Sequence, residues 1–340
     1  MHIPDGFLST PVWVTLDAAA IPAVLWAARR AQIDFDGSAK IGSAVTKSAN
    51  PTQTGNRRAA NIPLLGVMGA FVMAAQMINF PVGIGTSGHL VGGALLAIAL
   101  GPAAASIVMT AILILQALVF QDGGVLALGA NILNMAFVGV LAAWLPYRLL
   151  GGGAARKPAI FLAGFLSVLV SASLALTELL LSGVPVASHL LWISGGLFTV
   201  SALLEGAITL ATVGAIERLN PSWIPRAQPV NRRAVALVGT AAIALVVIGV
   251  GIASSAPDGI MSLLSSSGLH ASTLHPTWNW NAPLADYQAA ISESAWTRKA
   301  AAGLAGLTMI YLACLILGRW ITRGTPDVSG SVAPARQRSL

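Results

Sequence analysis

Residues 102–120 read PAAASIVMTAILILQALVF, and this stretch decides the fold. It carries no charged side chain over about the 20 residues that a helix needs to cross the hydrocarbon core of a bilayer. Backbone in lipid must satisfy its own hydrogen bonds, so such a run is a helix. Similar runs recur on both sides of it, separated by polar joints. They predict helices at 11–28, 61–79, 102–120, 124–146, 158–181, 190–215, 234–253 and 300–318. A shorter apolar piece at 88–100 follows a glycine-rich turn and cannot span alone. It is expected to be a half-helix or tilted segment buried among the others. The predicted fold is all-α, a polytopic transmembrane helical bundle of about eight to nine membrane segments.

Composition agrees. The 340 residues are 56% hydrophobic and 9% charged, where soluble domains carry about 25% charged residues. The mean hydropathy is +0.77. An ordinary soluble enzyme is excluded. The formal charge of +7 is a topology signal rather than a nucleic-acid surface. Arg29, Arg30, Lys40, Lys47, Arg57 and Arg58 share one joint; Arg148, Arg156 and Lys157 a second; Arg218, Arg226, Arg232 and Arg233 a third. Arg319, Arg323, Arg336 and Arg338 lie in the tail. Only Arg298 and Lys299 fall on the other side, and short basic loops stay cytoplasmic. The N-terminus, the turn at 79–88, Gln121-Asp122 and the loop at 254–298 are therefore expected outside, and the C-terminus inside.

Composition changes at 220–233, where Asn220-Pro221, Pro225 and Pro229 punctuate a basic stretch. The expected organisation is a transmembrane core over 1–220, a cytoplasmic linker over 221–233 and a two-helix region with an external loop over 234–320. A disordered cytoplasmic tail is expected over 321–340. The single cysteine, Cys314, lies in an apolar run. It can form neither an internal disulfide nor a thiolate cluster, and reads as a small buried hydrophobe.

The chain opens Met1-His2-Ile3-Pro4-Asp5-Gly6, without the basic and apolar regions of a secretory signal. Met1 is expected to be the first residue of the mature chain, because a bulky His2 disfavours its removal. A free α-amine, the amide nitrogen of residue two and its imidazole can close two fused chelate rings around one metal. Planar nitrogen sites favour Cu(II) or Ni(II), and the amide binds only when deprotonated. A fourth nitrogen must come from elsewhere. Pro4, Asp5 and Gly6 make a turn, and Phe7-Leu8 can anchor the tail in the bundle.

In Asn79-Phe80-Pro81-Val82-Gly83-Ile84-Gly85-Thr86-Ser87-Gly88-His89, a proline and three glycines before His89 break the second span at its outer end. Irregular backbone at that depth lines a cavity or is buried in protein. His89, read as starting the short helix, is then a functional-site candidate, with a satisfied core histidine as the other reading. Glu178 and Glu205 sit in apolar helices, as ion-pathway groups or as partners of neighbouring polar side chains. Asn131 and Asn134, one turn apart, share a face suited to interhelical hydrogen bonds. His189, His270 and His275 read as interfacial or loop residues. A phosphate loop of the form GxxxxGK[ST] is absent from the sequence, so ATP hydrolysis by that route needs separate partners.

These residues carry a resemblance. The opening octapeptide Met1 to Leu8 resembles the N-terminal signature of the CbiM/NikM family, the membrane substrate-capture subunits of energy-coupling-factor cobalt and nickel importers. Phe80-Pro81-Val82 with Gly85-Thr86-Ser87-Gly88-His89-Leu90 is similar to a second family signature. Phe120-Gln121-Asp122-Gly123-Gly124, Ala127 to Asn131 and Asn134-Met135-Ala136 are similar to a third. The resemblance covers residues 1–215. It implies a four-nitrogen metal site from the Met1 amine, the His2 amide and imidazole, and His89. It implies transported Ni2+ or Co2+ as bound substrate and no cofactor. The implied partners are a membrane coupling subunit and ATPase subunits. Glu205-Gly206-Ala207-Ile208-Thr209 is similar to an EALIT-like family stretch, but His189 lies too far upstream to match the histidine that precedes it there. Pro257-Asp258-Gly259-Ile260 resembles the two-helix accessory component sometimes fused to this core. Two other readings stand beside this one: a secondary permease or channel for the same ions, and an intramembrane serine hydrolase using Ser87 and His189.

Overall fold

The computed structural model describes residues 1–45, 51–83, 86–219, 258–268, 281–291 and 293–323, with a few isolated positions between 240 and 280. Side chains are described outside 35–61. Helix α1 spans Thr10–Val45 and α2 spans Pro51–Gln76. A hairpin of β1 (Asn79–Gly83) and β2 (Thr86–His89) follows, then α3 (Gly93–Leu100) and α4 (Pro102–Leu115). A π-helical turn, Gln116–Phe120, extends α4. Next come α5 (Leu128–Asn131), a second π-helical turn (Ile132–Val138) and α6 (Gly139–Leu150), then α7 (Arg156–Leu181) and α8 (Ser188–Leu219). Beyond the predicted linker lie α9 (Gly259–Ser266) and α10 (Ala295–Arg323).

Among the described residues, six helices are long and apolar enough to cross a membrane, and Ile62–Gln76 forms a shorter apolar helix. The predicted helix at 234–253 lies almost wholly outside the described residues, as do the linker at 221–233 and the tail beyond Arg323. The first three tail residues continue α10 rather than fraying. Helix α1 runs well past the predicted end at 28. Arg30 and Asp34 pair across one turn at 3.2 Å, so charge in that joint prolongs the helix instead of ending it.

The broken stretch at 79–89 differs from the expected turn. It forms an antiparallel hairpin pairing Asn79 with His89, Phe80 with Gly88 and Pro81 with Ser87. Pro81 removes a backbone donor and disfavours a continuing helix, and strand pairing satisfies the local backbone groups. His89 consequently ends a strand, and the short helix begins only at Gly93.

Helix α3 is the centre of the core. Ala94, Leu95, Leu96, Ala97 and Ile98 are all buried, against α4, α6 and α7. Helices α7 and α8 cross where Gly164 faces Gly206. A Cβ on Gly164 would stand 2.8 Å from the Glu205 carbonyl oxygen, so this close approach requires glycine, the usual device of packed membrane helices. Helix α10 lies along α2, with Cys314 buried there as expected.

Candidate metal centre

The N-terminal segment folds into the bundle. Ile3, Phe7 and Leu8 are buried, each worth roughly 1.5–3 kcal/mol if taken from water. Asn131 exchanges two hydrogen bonds with the Ile3 backbone: the Ile3 N–H donates to Oδ1 at 2.8 Å, and Nδ2 donates to the Ile3 carbonyl at 3.1 Å. The Gly124 N–H donates to the same carbonyl at 2.9 Å, the third bond to the Ile3 backbone. Asp5 turns back to accept from the backbone N–H groups of Val125 (3.1 Å) and Leu126 (2.8 Å). Gly123 closes this wall at φ 97°, and a Cβ there would lie 3.1 Å from the His2 Cβ. Asn131 and Asp5 thus tie the tail to the 120–131 segment, while Asn134 donates to Glu178 at 2.8 Å and joins the second π-helical turn to α7.

This fastening brings the sequence-predicted residues together. The Met1 amine is 3.3 Å from His89 Nε2. The rings of His2 and His89 stack at 5.5 Å between centroids, 9° from parallel. His89 Nδ1 stands 3.0 Å from the Leu90 carbonyl. Only the Nδ1–H tautomer can donate there, which leaves the Nε2 lone pair facing the amine. Burial, then the nearby N-terminal charge, push the His89 pKa down to about 4, so the ring is neutral and available as a donor near neutral pH. His2 is 3% exposed, and its Nε2 has no hydrogen-bond partner among the described residues. A buried ring nitrogen left unpaired is costly unless something else engages it.

Two carboxylates close the site, where the sequence offered only Asp5 nearby. Asp122 Oδ1 lies 3.1 Å from His2 Nδ1, and the Tyr287 hydroxyl donates to its Oδ2 at 2.6 Å. Burial alone would raise Asp122. The His2 charge and hydrogen bonds from His2 and Tyr287 outweigh it and hold the group well below the usual carboxylate range. Asp258 Oδ2 accepts from the Met1 amine at 2.5 Å. One donor atom from each of His2, His89 and Asp258 lies within 4.8 Å of the other two. In sequence, Asp258 is only part of a turn 257 positions from Met1 and Tyr287 a loop aromatic; nothing local marks either as near the N-terminus.

Glu205 resolves to a supporting role. Its carboxylate accepts from the Val91 N–H at 2.8 Å and the Gly92 N–H at 2.9 Å, the turn directly after His89. Glu205→Ala leaves two buried donors unpaired at about 1–3 kcal/mol each. The expected result is a clear drop in thermal unfolding temperature, with Glu205→Gln intermediate; a wild-type melting curve for Glu205→Ala would refute this role. His275 Nε2 meets the Ser182 carbonyl at 3.0 Å, and His270 lies outside the described residues.

The family model for the cobalt uptake substrate-specific transmembrane region matches residues 2–223. A candidate fused nickel transport protein NikMN from Archaeoglobus fulgidus is 33% identical over 70% of this chain and 72% of its own length. The cobalt transport protein CbiM of Desulforamulus reducens is 32% identical over 49% of this chain and 58% of its own length. A crystal structure of a transition metal transporter is similar over 65% of this chain and 95% of that one, at 29% identity and a TM-score of 0.50. The chain is therefore a transport component and not an enzyme, which removes the hydrolase reading of Ser87 and His189. With most of its length matched and its N-terminal, hairpin and 120–131 segments joined in one pocket, this multi-pass membrane protein belongs to the cobalt uptake substrate-specific transmembrane family, as the substrate-specific membrane component of a cobalt/nickel uptake system.

Proposed function

We propose that the chain captures Ni2+ or Co2+ from outside through four nitrogens: the Met1 amine, the His2 amide and imidazole, and His89 Nε2. ATPase subunits and a membrane coupling subunit then drive import. The observation that carries this reading is the approach of His89 Nε2 to within 3.3 Å of the Met1 amine, 88 positions away, beside a stacked His2. The fused chelate closes through His2 Nδ1, since Nε2 lies on the far side of the ring. Capture therefore exchanges the Nδ1 contact with Asp122 for a bond to the metal. Amide deprotonation makes affinity rise with pH, whereas His89, already neutral above about pH 4, adds little pH dependence near neutrality.

Metal analysis of the purified chain with an absorption spectrum tests the site. A yellow, diamagnetic nickel species is expected of four planar nitrogens; a chain that binds neither ion refutes it. ATPase activity stimulated by metal only when partner subunits are present separates this importer from a secondary permease or channel, which needs none.

The proposed orientation places 254–298 outside, following the distribution of Lys and Arg. In intact cells, a cysteine at Ser266, which is exposed on α9, should react with an impermeant thiol reagent, and one at Ser43 should not. The opposite pattern inverts the topology.

A further inference from the structure

The family match ends at residue 223, yet from beyond it Asp258 reaches the Met1 amine and Tyr287 reaches Asp122, the carboxylate facing His2. Asp258 caps α9 by accepting from the Met261 N–H through Oδ1 at 2.9 Å. Its other oxygen takes the Met1 amine at 2.5 Å. The Asp258 backbone is bridged to Ser87 in β2, and the Thr86 and Ser262 hydroxyls meet at 2.7 Å. The carboxylate is thus fixed from both sides, by its own helix and by the hairpin that carries His89. On the other flank, Tyr287 stacks on Phe120 at 4.6 Å and holds Asp122, which faces His2. Gln116 donates to the Tyr287 oxygen at 3.3 Å and to Gln76 Oε1 at 2.9 Å, and Gln76 donates to the Val91 carbonyl at 2.7 Å.

We infer that Asp258 is a positioning residue for the metal site: its carboxylate orients the Met1 amine toward His89, before the ion arrives and after it binds. An amine nitrogen on a flexible chain end has no orientation of its own. A coordinated amine keeps N–H groups that a carboxylate can accept, as carboxylates do for other metal-bound nitrogens. Asp258 therefore acts through Met1 without being one of the four donors. The segment bearing α9 completes the capture site from outside the matched core. This inference rests on the proposed four-nitrogen capture.

The test is nickel affinity and the visible spectrum of the full chain, measured with nickel alone against a competing chelator. Asp258→Asn keeps the helix cap, because asparagine caps as well as aspartate, but removes the charge facing the amine. The expected loss is about 10–100-fold in affinity, the range for partners of metal ligands, with a shifted nickel band. Ser262→Ala loosens the same docking face without touching the amine and should keep the wild-type spectrum. If Asp258→Asn does not fold, Asp258→Glu supplies the measurement: its extra methylene displaces the carboxylate, so weaker binding and a shifted band are again expected. Wild-type affinity and spectrum in the folded variant overturn the inference, as does an equal loss in Ser262→Ala. A wild-type chain that binds no nickel overturns the capture site itself, a result distinct from either.

Discussion

A chain lengthened by one residue before Met1 inserts and folds but loses uptake. The extension turns the Met1 amine into an amide and moves the new amine one residue away, so the first chelate ring cannot close on the same atoms. It also removes the ammonium that pairs with Asp258 at 2.5 Å, in a pocket where Met1 is 9% exposed and an added residue has little room. No span is altered, so the chain should still insert and fold, with some loss of thermal stability from the unpaired Asp258. The measurement is metal content after purification together with uptake into cells. A one-residue extension that retains full nickel or cobalt content would show that the amine is not a ligand.

His89→Ala is expected to be nearly as severe. It removes one nitrogen of four. Water can enter the vacancy but is a weaker donor than imidazole, and a planar nickel centre depends on a complete nitrogen set. The variant should be made and inserted normally, copurify with little metal and fail to transport. The alternative is a structural His89, donating through Nδ1 to the Leu90 carbonyl at 3.0 Å. Glutamine can supply that bond while binding metal poorly. His89→Gln therefore separates the two: normal metal content in that variant would leave His89 as a hydrogen-bond donor only.

The spans were legible because a bilayer imposes one length and one hydrogen-bonding rule on every segment that crosses it. The end of α1 was not, because Arg29 and Arg30 suit an interfacial joint and a continuing helix equally well. The strand before His89 was hidden for a related reason. Proline and glycines announce that a helix stops, not what replaces it, and the pairing of Asn79 with His89 is a tertiary choice. Within the pocket, the proposed Met1–His2 chelate rests on covalent geometry, since amine, amide and imidazole are already within ring-closing reach, and nothing in the sequence marked where His89 would stand. Asn131 was read correctly as a hydrogen-bonding residue, but its partner is the Ile3 backbone rather than another helix. Asp122, Asp258 and Tyr287 approach only through folding over long separations. Glu205 illustrates the limit from the other side: a buried carboxylate signals importance, and only its two backbone partners distinguish support of a turn from ion passage.

The pairing of Met1 with Asp258 also bears on biogenesis. Met1 finds one of its partners 257 positions later, beyond every span of the family-matched core. The pocket therefore closes only once the segment bearing Asp258 is present. Closing the longer loop costs only roughly 1 kcal/mol more entropy than reaching His89 does, so the order is set by synthesis rather than by energy. Once the end is tucked in, Met1 is buried, and the fold shields the amine proposed to bind the metal.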